Sequence, residues 1–280
     1  MRTAPSSRVW ATTHVSIGNV ATPIARPLPG RLLGVWAHPD DECYLSAGLM
    51  ARVIAAGGEV RLVCATLGEL GTDDPELVGT DRFARTRQAE LESSLAVLGV
   101  HDLHVLGLAD GACDVAAHDE MTAVVADHVD SFPPDTIVTF GPDGITGHTD
   151  HQAVSRWATA ASETPGVEVL YATMTHDHVD RHREMHDSLG LFGMRPDGRP
   201  HSVSRDAIVL QCSLDHGELI RKRRALHHHG SQTAPLAALI GEDTYFSWWK
   251  DECFRRPTHV ERSRALAALA PERAPIGVGS

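Results

Sequence analysis

The chain has 280 residues, of which 42% are apolar and 22% are charged. This length and composition are typical of a soluble globular protein, and they allow either one large α/β domain or two small ones. The formal net charge of −12 argues against nucleic acid or an anionic membrane surface as a partner.

Apolar runs alternate with helical patterns from residue 31 onward. Strands are predicted at 31–37, 59–66, 102–108, 135–140 and 167–174, and helices at 42–58, 81–99, 118–131 and 150–162. Beyond residue 175 the pattern is less regular, with a strand at 206–213 and a helix at 215–228. Strands that alternate with helices indicate βαβ units, so we predict an α/β fold. Its sheet is expected to be Rossmann-like, open and mostly parallel, with helices on both faces.

The two ends of the chain differ in composition from the rest. The first 30 residues are rich in Pro, Thr and Ala, and the last residues read APERAPIGVGS. We therefore predict a flexible arm over residues 1–30, a single α/β domain over 31–260 and a flexible tail over 261–280.

The cysteines and the apolar runs indicate a location. Five cysteines are spread along the chain without a C-x-x-C pair, which argues against a disulfide framework or a zinc finger and is typical of a reducing compartment. The N-terminal segment lacks the apolar run of a signal peptide, and no stretch approaches the ~18 consecutive apolar residues of a membrane span. We expect a soluble, cytoplasmic protein without a membrane span.

Two groups of ionisable residues follow strands of the predicted sheet. The segment His38–Glu42 (HPDDE) comes directly after the first strand, and GHTDHQ, with His148, Asp150 and His151, follows the strand at 135–140. In open α/β sheets, ligands bind beyond the carboxyl ends of the strands. Both motifs are therefore where this architecture places a ligand.

Helix capping explains part of each motif. Asp is a favoured N-cap, Pro is common at the first helical position, and acidic residues in a first turn complement the helix dipole. In the second motif, Thr149 and Gln152 have the spacing of a capping box. Capping leaves the histidines of both motifs and the remaining aspartates unexplained, so we interpret the two motifs as one site.

The residue types suit a metal-dependent hydrolase. A catalytic zinc ion usually takes three protein ligands from His, Asp and Glu and keeps a position open for water. Hydrolysis of an amide or ester also needs a base near that water and a donor to the oxyanion, and the two motifs contain both. The spacing does not distinguish which aspartate is the ligand, nor zinc from iron(II), which His/Asp sites also accept.

AHPDDE together with GHTDH further along the chain resembles the PIG-L/LmbE-like zinc de-N-acetylases. These include the N-acetylglucosaminyl-phosphatidylinositol deacetylase and deacetylases of the mycothiol and bacillithiol pathways. The resemblance implies that His38, Asp41 and His151 hold the zinc ion.

The resemblance also implies catalytic roles for the other members of the two motifs. Asp40 would be the general base, and His148 would stabilise the oxyanion. Asp150 would orient or tune its histidine partner. Either Asp40 or His148 would supply the proton for the leaving amine.

Further segments extend the resemblance over most of residues 31–256. They are CATLGELG, the R-x-x-E pattern of the helix at 81–99, LGLADG and KRRALHHHGSQ. In relatives the Arg and Asp equivalents contact sugar or inositol hydroxyls. The resemblance thus implies that Glu69, Arg87, Asp110 and His229 are candidate substrate-binding residues. An ordinary ion pair or turn position would also explain Arg87 and Asp110, and packing would explain His229.

A histidine pair outside the two motifs gives a weaker signal. HREMH (182–186) has histidines at i and i+4, but its acid is Glu184, whereas H-E-x-x-H needs the acid directly after the first His. We expect no metal site there, and we expect Trp248 and Trp249 to belong to the core or an interface.

We therefore expect a zinc-dependent hydrolase that removes an N-acetyl group from a small molecule containing an amino sugar of the N-acetylglucosamine type. One alternative is an amidase of the same scaffold that cleaves a larger acyl group from a thiol conjugate or natural product. Another is a metal-dependent carbohydrate-binding protein without catalysis, although binding alone needs neither Asp40 nor His148. The first strand–helix turn lacks G-x-G-x-x-G, which argues against a nucleotide enzyme.

Overall fold

The computed structural model describes residues 26–190, 192–196 and 198–268. Within these residues the strands are β1 (Arg31–Trp36), β2 (Glu59–Thr66), β3 (Asp102–Leu108), β4 (Thr136–Phe140), β5 (Glu168–Thr175), β6 (Ser202–Val203), β7 (Ile208–Ser213) and β8 (Asp251–Arg255). The helices are α1 (Asp41–Ala55), α2 (Asp81–Leu98), α3 (His118–Ser131), α4 (Gly144–Gly147), α5 (Thr149–Ala161), α6 (His176–Arg181), α7 (Arg183–Leu189), α8 (His216–His228), α9 (Gly230–Ile240), α10 (Glu242–Trp248) and α11 (His259–Ala267).

The strands form one mixed sheet in the order β3-β2-β1-β4-β5-β8-β7, and the short β6 pairs with β5. All neighbours among β1 to β5 are parallel, whereas β8 is antiparallel to both β5 and β7. Helices α1, α2 and α8 pack together in one layer, and α3, α5 and α11 pack together in another. The predicted α/β fold with a mostly parallel sheet is confirmed, and the antiparallel edge is an addition to it.

Local sequence signals set the boundaries of the best predicted elements. In β1, five of six residues are buried, as expected for a central parallel strand covered on both faces. Helix α2 begins where the Thr80 side chain accepts a hydrogen bond from the Phe83 amide (3.2 Å), and it ends at Gly99, whose φ is 82°. Such an N-cap and a left-handed glycine are strong start and stop signals, and the prediction of 81–99 differs from the observed helix by one residue.

The core lies between the sheet and its helical layers. Its largest fully buried side chains include Trp36, Trp157 and Trp248. The five cysteines are also buried, and each is a free thiol. Among the described helices, none combines the length and the apolarity that crossing a membrane requires.

The ends of the described chain differ from the predicted boundaries. The predicted tail begins at residue 261, whereas α11 continues to Ala267. This helix is held by a capping box between Thr258 and Glu261 and by an ion pair of 2.7 Å between Arg255 and Glu261. Residues 1–25, most of the predicted arm, and residues 269–280 lie outside the described residues.

A buried ion pair joins β8 to helices α1 and α8. Lys222 Nζ donates to Glu252 Oε1 (2.8 Å) and to the carbonyl oxygen of Tyr44 (2.7 Å). The Glu252 carboxylate also accepts from the amides of Gly48 (2.8 Å) and Leu49 (2.9 Å). Because both charged side chains are at most 1% exposed, the pair is a structural connection inside the fold.

Three histidines, one in α6, one between α6 and α7 and one in α7, lie close together beside the core. The rings of His178 and His182 are 4.5 Å apart, and the His186 ring is 5.3 Å from that of Trp248. Both ring nitrogens of the buried His186 are without a hydrogen-bond partner among the described residues. Burial and neighbouring His182 lower the pKa of His178 to about 3 and that of His186 to about 4. The histidines are therefore neutral at pH 7, and they do not belong to any candidate metal cluster of the described residues.

These histidines are expected to make the fold sensitive to acid. Because the pKa of His186 is about 4 in the folded chain and about 6.5 in the unfolded chain, the unfolded chain binds more protons as the pH falls below about 6.5. At pH 5 this costs up to about 2 kcal/mol of unfolding free energy. His186→Phe removes this cost, so thermal unfolding should show the variant gaining several degrees over the wild type at pH 5 relative to pH 7.5.

The exposed His101 provides a matched control. His101→Phe should leave the pH dependence of the melting temperature unchanged, because this side chain is solvated in the folded chain. An identical pH dependence for His186→Phe and the wild type would show that His186 is not the acid-sensitive group.

Candidate active site and metal centre

The fold brings the two predicted motifs together at the point where the strand order reverses. Strand β1 has β2 on one side and β4 on the other, and a crevice at such a switch point is the usual ligand site of open α/β sheets. His38 follows β1, and His148 and His151 lie at the start of α5, after β4. The prediction that the motifs lie at adjacent strand ends is confirmed.

Three buried side chains direct potential ligand atoms at one another. His38 Nδ1 is 3.0 Å from His151 Nε2. The Asp41 carboxylate is 3.7 Å from His38 Nδ1 and 3.5 Å from His151 Nε2. Ligand atoms of a tetrahedral zinc ion with bonds of about 2.0–2.1 Å are separated by about 3.3 Å. The trio of His38, Asp41 and His151 therefore offers the types of ligand that such a cation takes, with Asp41 facing His38 through Oδ2 and His151 through Oδ1.

The surroundings of His151 leave one nitrogen free to bind. Its Nδ1 donates to the carbonyl oxygen of Gly144 at 2.9 Å. Its ring stacks on that of Phe140, with centroids 4.1 Å apart and planes 9° apart. Burial lowers the pKa of His151 well below its usual value. The ring is therefore neutral and held in place, with the lone pair of Nε2 facing His38.

Two carboxylates on the other side of the His38 ring fix its orientation and its tautomer. His38 Nε2 lies 3.0 Å from Asp110 Oδ1 and 3.2 Å from Asp150 Oδ2, so Nε2 carries the proton that these acceptors need. Burial lowers the pKa of His38, but Asp110 and Asp150 outweigh it and raise the pKa to about 10. Nδ1, which faces the lone pair of His151, is thus in a place that favours a cation, either a proton or a metal ion.

Asp150 is a buried support for His38. Its carboxylate is 0% exposed and accepts hydrogen bonds from the amides of Gly111 (2.8 Å) and Cys113 (3.0 Å). Burial raises the pKa of Asp150, but the His38 ring and these two amides lower it to about 2. Asp150 is therefore ionised, and the histidine that it orients is His38 rather than the adjacent His148.

Replacing Asp150 is expected to weaken metal binding. Asp150→Asn removes the charge that fixes the His38 tautomer, and the loss of such a support typically lowers metal affinity about 10–100-fold. Competition with a chromophoric chelator measures the zinc dissociation constant directly. Asp114→Asn, at an exposed position of the loop whose Gly111 and Cys113 amides donate to Asp150, should leave the constant unchanged. Equal constants for Asp150→Asn and the wild type would contradict this role.

Asp40 stands beside the trio in a strained conformation. It is the N-cap residue of α1, with φ 117° and ψ −28°, and its side chain makes no capping bond. Such a backbone is costly for a residue other than glycine and is typical of functional sites. Glu42 Oε2 accepts from the Asp40 amide at 2.9 Å, and Arg87 donates to Asp40 Oδ2 at 3.1 Å and to the Pro39 carbonyl. Helix capping therefore does not explain the Asp40 carboxylate.

The charge state of Asp40 suits proton transfer. Burial raises its pKa, Arg87 opposes this effect and Asp41 adds to it, which gives a value of about 7. A carboxylate with a pKa near the working pH is an effective general base that returns its proton readily.

His148 faces the site as a neutral donor. It is the N-cap residue of α5, a place where the sequence predicted Thr149, and its Nδ1 accepts from the Asp150 amide at 3.2 Å. Burial and the nearby His38 lower the pKa of His148, so the proton of the neutral ring is on Nε2. Its ring offers a nitrogen within 4.8 Å of ring nitrogens of His38 and His151. A neutral imidazole that carries one N–H group therefore lies next to the trio.

The four candidate substrate-binding residues contact other site residues. Arg87 bonds to Asp40, and Asp110 bonds to His38, with side chains 4% and 8% exposed. The Glu69 carboxylate accepts from the Asp110 amide at 2.8 Å. The fully buried His229 is 2.9 Å from Glu42 Oε1. Arg87 and Asp110 line the active-site cavity, whereas Glu69 and His229 are not among its lining residues.

The active-site cavity has a volume of about 470 Å³ and opens beside the trio. Its described lining includes Asp40 and His148 together with Trp248 and Trp249. Trp248 is 1% exposed, so this tryptophan belongs to the core and to the wall of the cavity. The sequence did not identify Glu42 as the residue whose carboxylate accepts a hydrogen bond from the Asp40 amide. Its position in the HPDDE motif, two residues after Asp40, could have indicated this role.

Known proteins resemble the chain in sequence and in fold. Residues 33–162 match the family model described as PIG-L: GlcNAc-PI de-N-acetylase. A 1D-myo-inositol 2-acetamido-2-deoxy-alpha-D-glucopyranoside deacetylase from Mycobacterium sp. (strain KMS) is 37% identical over 169 residues, 51% of this chain and 54% of the relative. The chain thus spans about half the length of that relative. A protein of the same name from Rhodococcus jostii (strain RHA1) is 35% identical over 242 residues, 72% of this chain and 81% of the relative.

A solved structure supports the fold. The N,N'-diacetylchitobiose deacetylase from Pyrococcus horikoshii superimposes with a TM-score of 0.55 at 21% identity, covering 81% of this chain and 83% of that one. At this identity the similarity concerns the fold alone. The family model includes both motifs, and the Rhodococcus relative is matched over most of its length. The chain therefore belongs to the PIG-L family, whose model is described as GlcNAc-PI de-N-acetylase.

Proposed function

We propose that the chain is a zinc-dependent hydrolase that removes an N-acetyl group from a small molecule containing an amino sugar of the N-acetylglucosamine type. The observation that carries this proposal is the placement of Asp40 and His148 beside the trio of His38, Asp41 and His151. The relatives' names, which describe deacetylases of an acetamido sugar, support the same reaction.

Asp40 and His148, beside the trio, have separate roles in amide hydrolysis. When bound, zinc supplies positive charge that acidifies water and polarises the amide carbonyl. Asp40 accepts the proton of the attacking water, and its pKa of about 7 suits that transfer. The Nε2–H group of His148 donates to the carbonyl oxygen as negative charge develops there. Asp40 then delivers its proton to the departing nitrogen, which leaves as an amine.

The site geometry favours catalysis over binding alone. A carbohydrate-binding protein would need the metal ligands but not a strained aspartate, whose backbone costs about 1–3 kcal/mol. Glu42 and Arg87 hold Asp40 in this conformation. The position of the Asp40 carboxylate is thus maintained at a cost in stability.

We also infer that the protein acts in the cytoplasm. All five cysteines are buried free thiols, and unpaired thiols are usual in a reducing compartment.

Acetate and amine release tests the proposed reaction. The metal-free protein, reloaded with zinc or iron(II), is assayed with N-acetylglucosamine, its glycosides, its inositol conjugate and N-acetylated amino acids. We expect equal amounts of acetate and primary amine from the acetamido sugars, and loss of turnover on chelation that zinc restores. Zinc-loaded protein that releases neither product from any of these sugars would contradict the proposal.

A further inference from the structure

We infer that the active-site cavity binds a large apolar group, aliphatic or aromatic, which the substrate carries close to the amide that is cleaved. This inference rests on the proposed function and specifies the chemical class of its substrate. The group belongs either to the aglycone of the amino sugar or to the acyl part of the amide.

One part of the cavity lining is strongly apolar. Apart from the two tryptophans and Phe140, which stacks on His151, its apolar members are Leu45, Leu70, Ile145, Phe192, Met194 and Leu236. Leu70 is 51% exposed and Met194 is 64% exposed. Single exposed apolar side chains are common, but here two of them line the same cavity as the buried Trp248 and the partly buried Trp249. The apolar lining thus continues from the core to the solvent.

Several polar side chains of the lining already have protein partners, whereas the indole nitrogens of Trp248 and Trp249 have none among the described residues. Arg87 and Asp110 bond to Asp40 and His38. The Tyr44 hydroxyl is 2.5 Å from that of Tyr245.

Gln232, another polar residue of the lining, also has a protein partner. Its side-chain amide donates to the carbonyl oxygen of Gly71 at 2.9 Å. A fully hydroxylated substrate would place hydroxyl groups against the apolar lining without partners, which costs free energy. An apolar group gains free energy there instead.

The volume of the cavity, and the fact that catalytic and apolar residues line the same space, indicate that the apolar group is part of the substrate. Its volume of about 470 Å³ lies within the usual range of about 300–1,000 Å³ for sites that enclose a small molecule. Asp40 and His148 line the same space as Leu236 and Met194. A group bound against the apolar lining therefore belongs to a molecule whose amide can reach Asp40.

Two series of substrates test the inference on the zinc-loaded protein. The first is the methyl, butyl and hexyl glycosides of N-acetylglucosamine, and the second is methyl glycosides with N-acetyl, N-butanoyl and N-hexanoyl groups. Each methylene group moved out of water is worth about a fourfold gain. We expect kcat/KM to rise by at least about 20-fold from the shortest to the longest member of one series.

Variants on α9 connect the effect to the cavity. Leu236→Asn should lower the ratio of kcat/KM for the longest substrate to kcat/KM for the shortest about tenfold or more. Leu239→Asn is the matched control, because Leu239 lies on the same helix, is 71% exposed and is not a lining residue. The control variant should behave like the wild type.

Binding of sugars without an amide separates this inference from the proposed function. Calorimetry should show that hexyl glucoside binds more tightly than methyl glucoside, and that Leu236→Asn removes the difference. Equal binding together with flat kcat/KM series overturns the inference, while acetate release would still support the function. Tighter binding of the hexyl glucoside without hydrolysis of any amide overturns the function and supports the apolar site. A rise in the N-acyl series alone supports the site and places its occupant on the acyl group.

Discussion

Asp40→Asn is expected to lower kcat by about 10²–10⁴-fold, the usual contribution of a positioned general base, while the zinc content stays at the wild-type level. The amide keeps the size of the carboxylate and the contact with Arg87, but it cannot accept a proton from water. Acetate release by zinc-loaded protein measures the loss, and elemental analysis of the same sample measures the metal.

Asp41→Asn is the matched control for this experiment, since the two aspartates are adjacent. It should lower the zinc content, because Asp41 lies 3.7 Å from His38 Nδ1 and 3.5 Å from His151 Nε2. If Asp40→Asn emptied the site of metal and Asp41→Asn did not, the two assigned roles would have to be exchanged.

The strands at the centre of the sheet were predictable because their residue types indicate that they are buried. Strands β1 (RLLGVW) and β4 (TIVTF) are rich in apolar and β-branched residues and almost fully buried, as expected of parallel strands covered on both faces. Strand β8 has the sequence DECFR and was missed, since two of its charged residues are buried. Glu252 is paired with Lys222, and Arg255 is paired with Glu261. Partners that lie outside the strand, Lys222 in α8 and Glu261 in α11, make these charges tolerable inside the fold.

In the candidate site, too, local sequence patterns were predictable, whereas contacts between separate segments of the chain were not. Its two motifs were visible because each follows a predicted strand. The contact of Asp110 with His38 and that of Arg87 with Asp40 depend on how separate segments of the chain fold against one another, and no local pattern encodes that. Substrate contact by Arg87 and Asp110, which the resemblance implies, stays a prediction, and the structure adds the ion pairs by which these residues contact other site residues.

These ion pairs explain how a crowded acidic motif remains folded. In HPDDE, each carboxylate has its own partner. Asp40 faces Arg87, Asp41 accepts from the His38 amide at 2.8 Å, and Glu42 faces His229. Buried charges are tolerated where they are paired and hydrogen-bonded, so the motif is stable only inside the complete fold.

Lys222→Met is expected to lower the free energy of unfolding by about 3–5 kcal/mol, the usual cost of removing one partner of a buried ion pair. The Glu252 carboxylate would stay buried between the amides of Gly48 and Leu49 without its cation, and the Tyr44 carbonyl would lose its donor. Urea unfolding of both proteins measures the difference.

The pair of Arg52 and Glu218 is the matched control for Lys222→Met, since it also joins α1 to α8. Its atoms are 2.6 Å apart, but the side chains are 30% and 28% exposed. Solvent screening limits such a pair to about 0–1 kcal/mol, so Arg52→Met should change the midpoint only slightly. Similar losses of unfolding free energy for the two variants would show that burial does not increase the contribution of the Lys222 pair to stability. A large loss confined to Lys222→Met would show that the antiparallel edge of the sheet is held to α1, the helix that carries Asp41, by one buried charge.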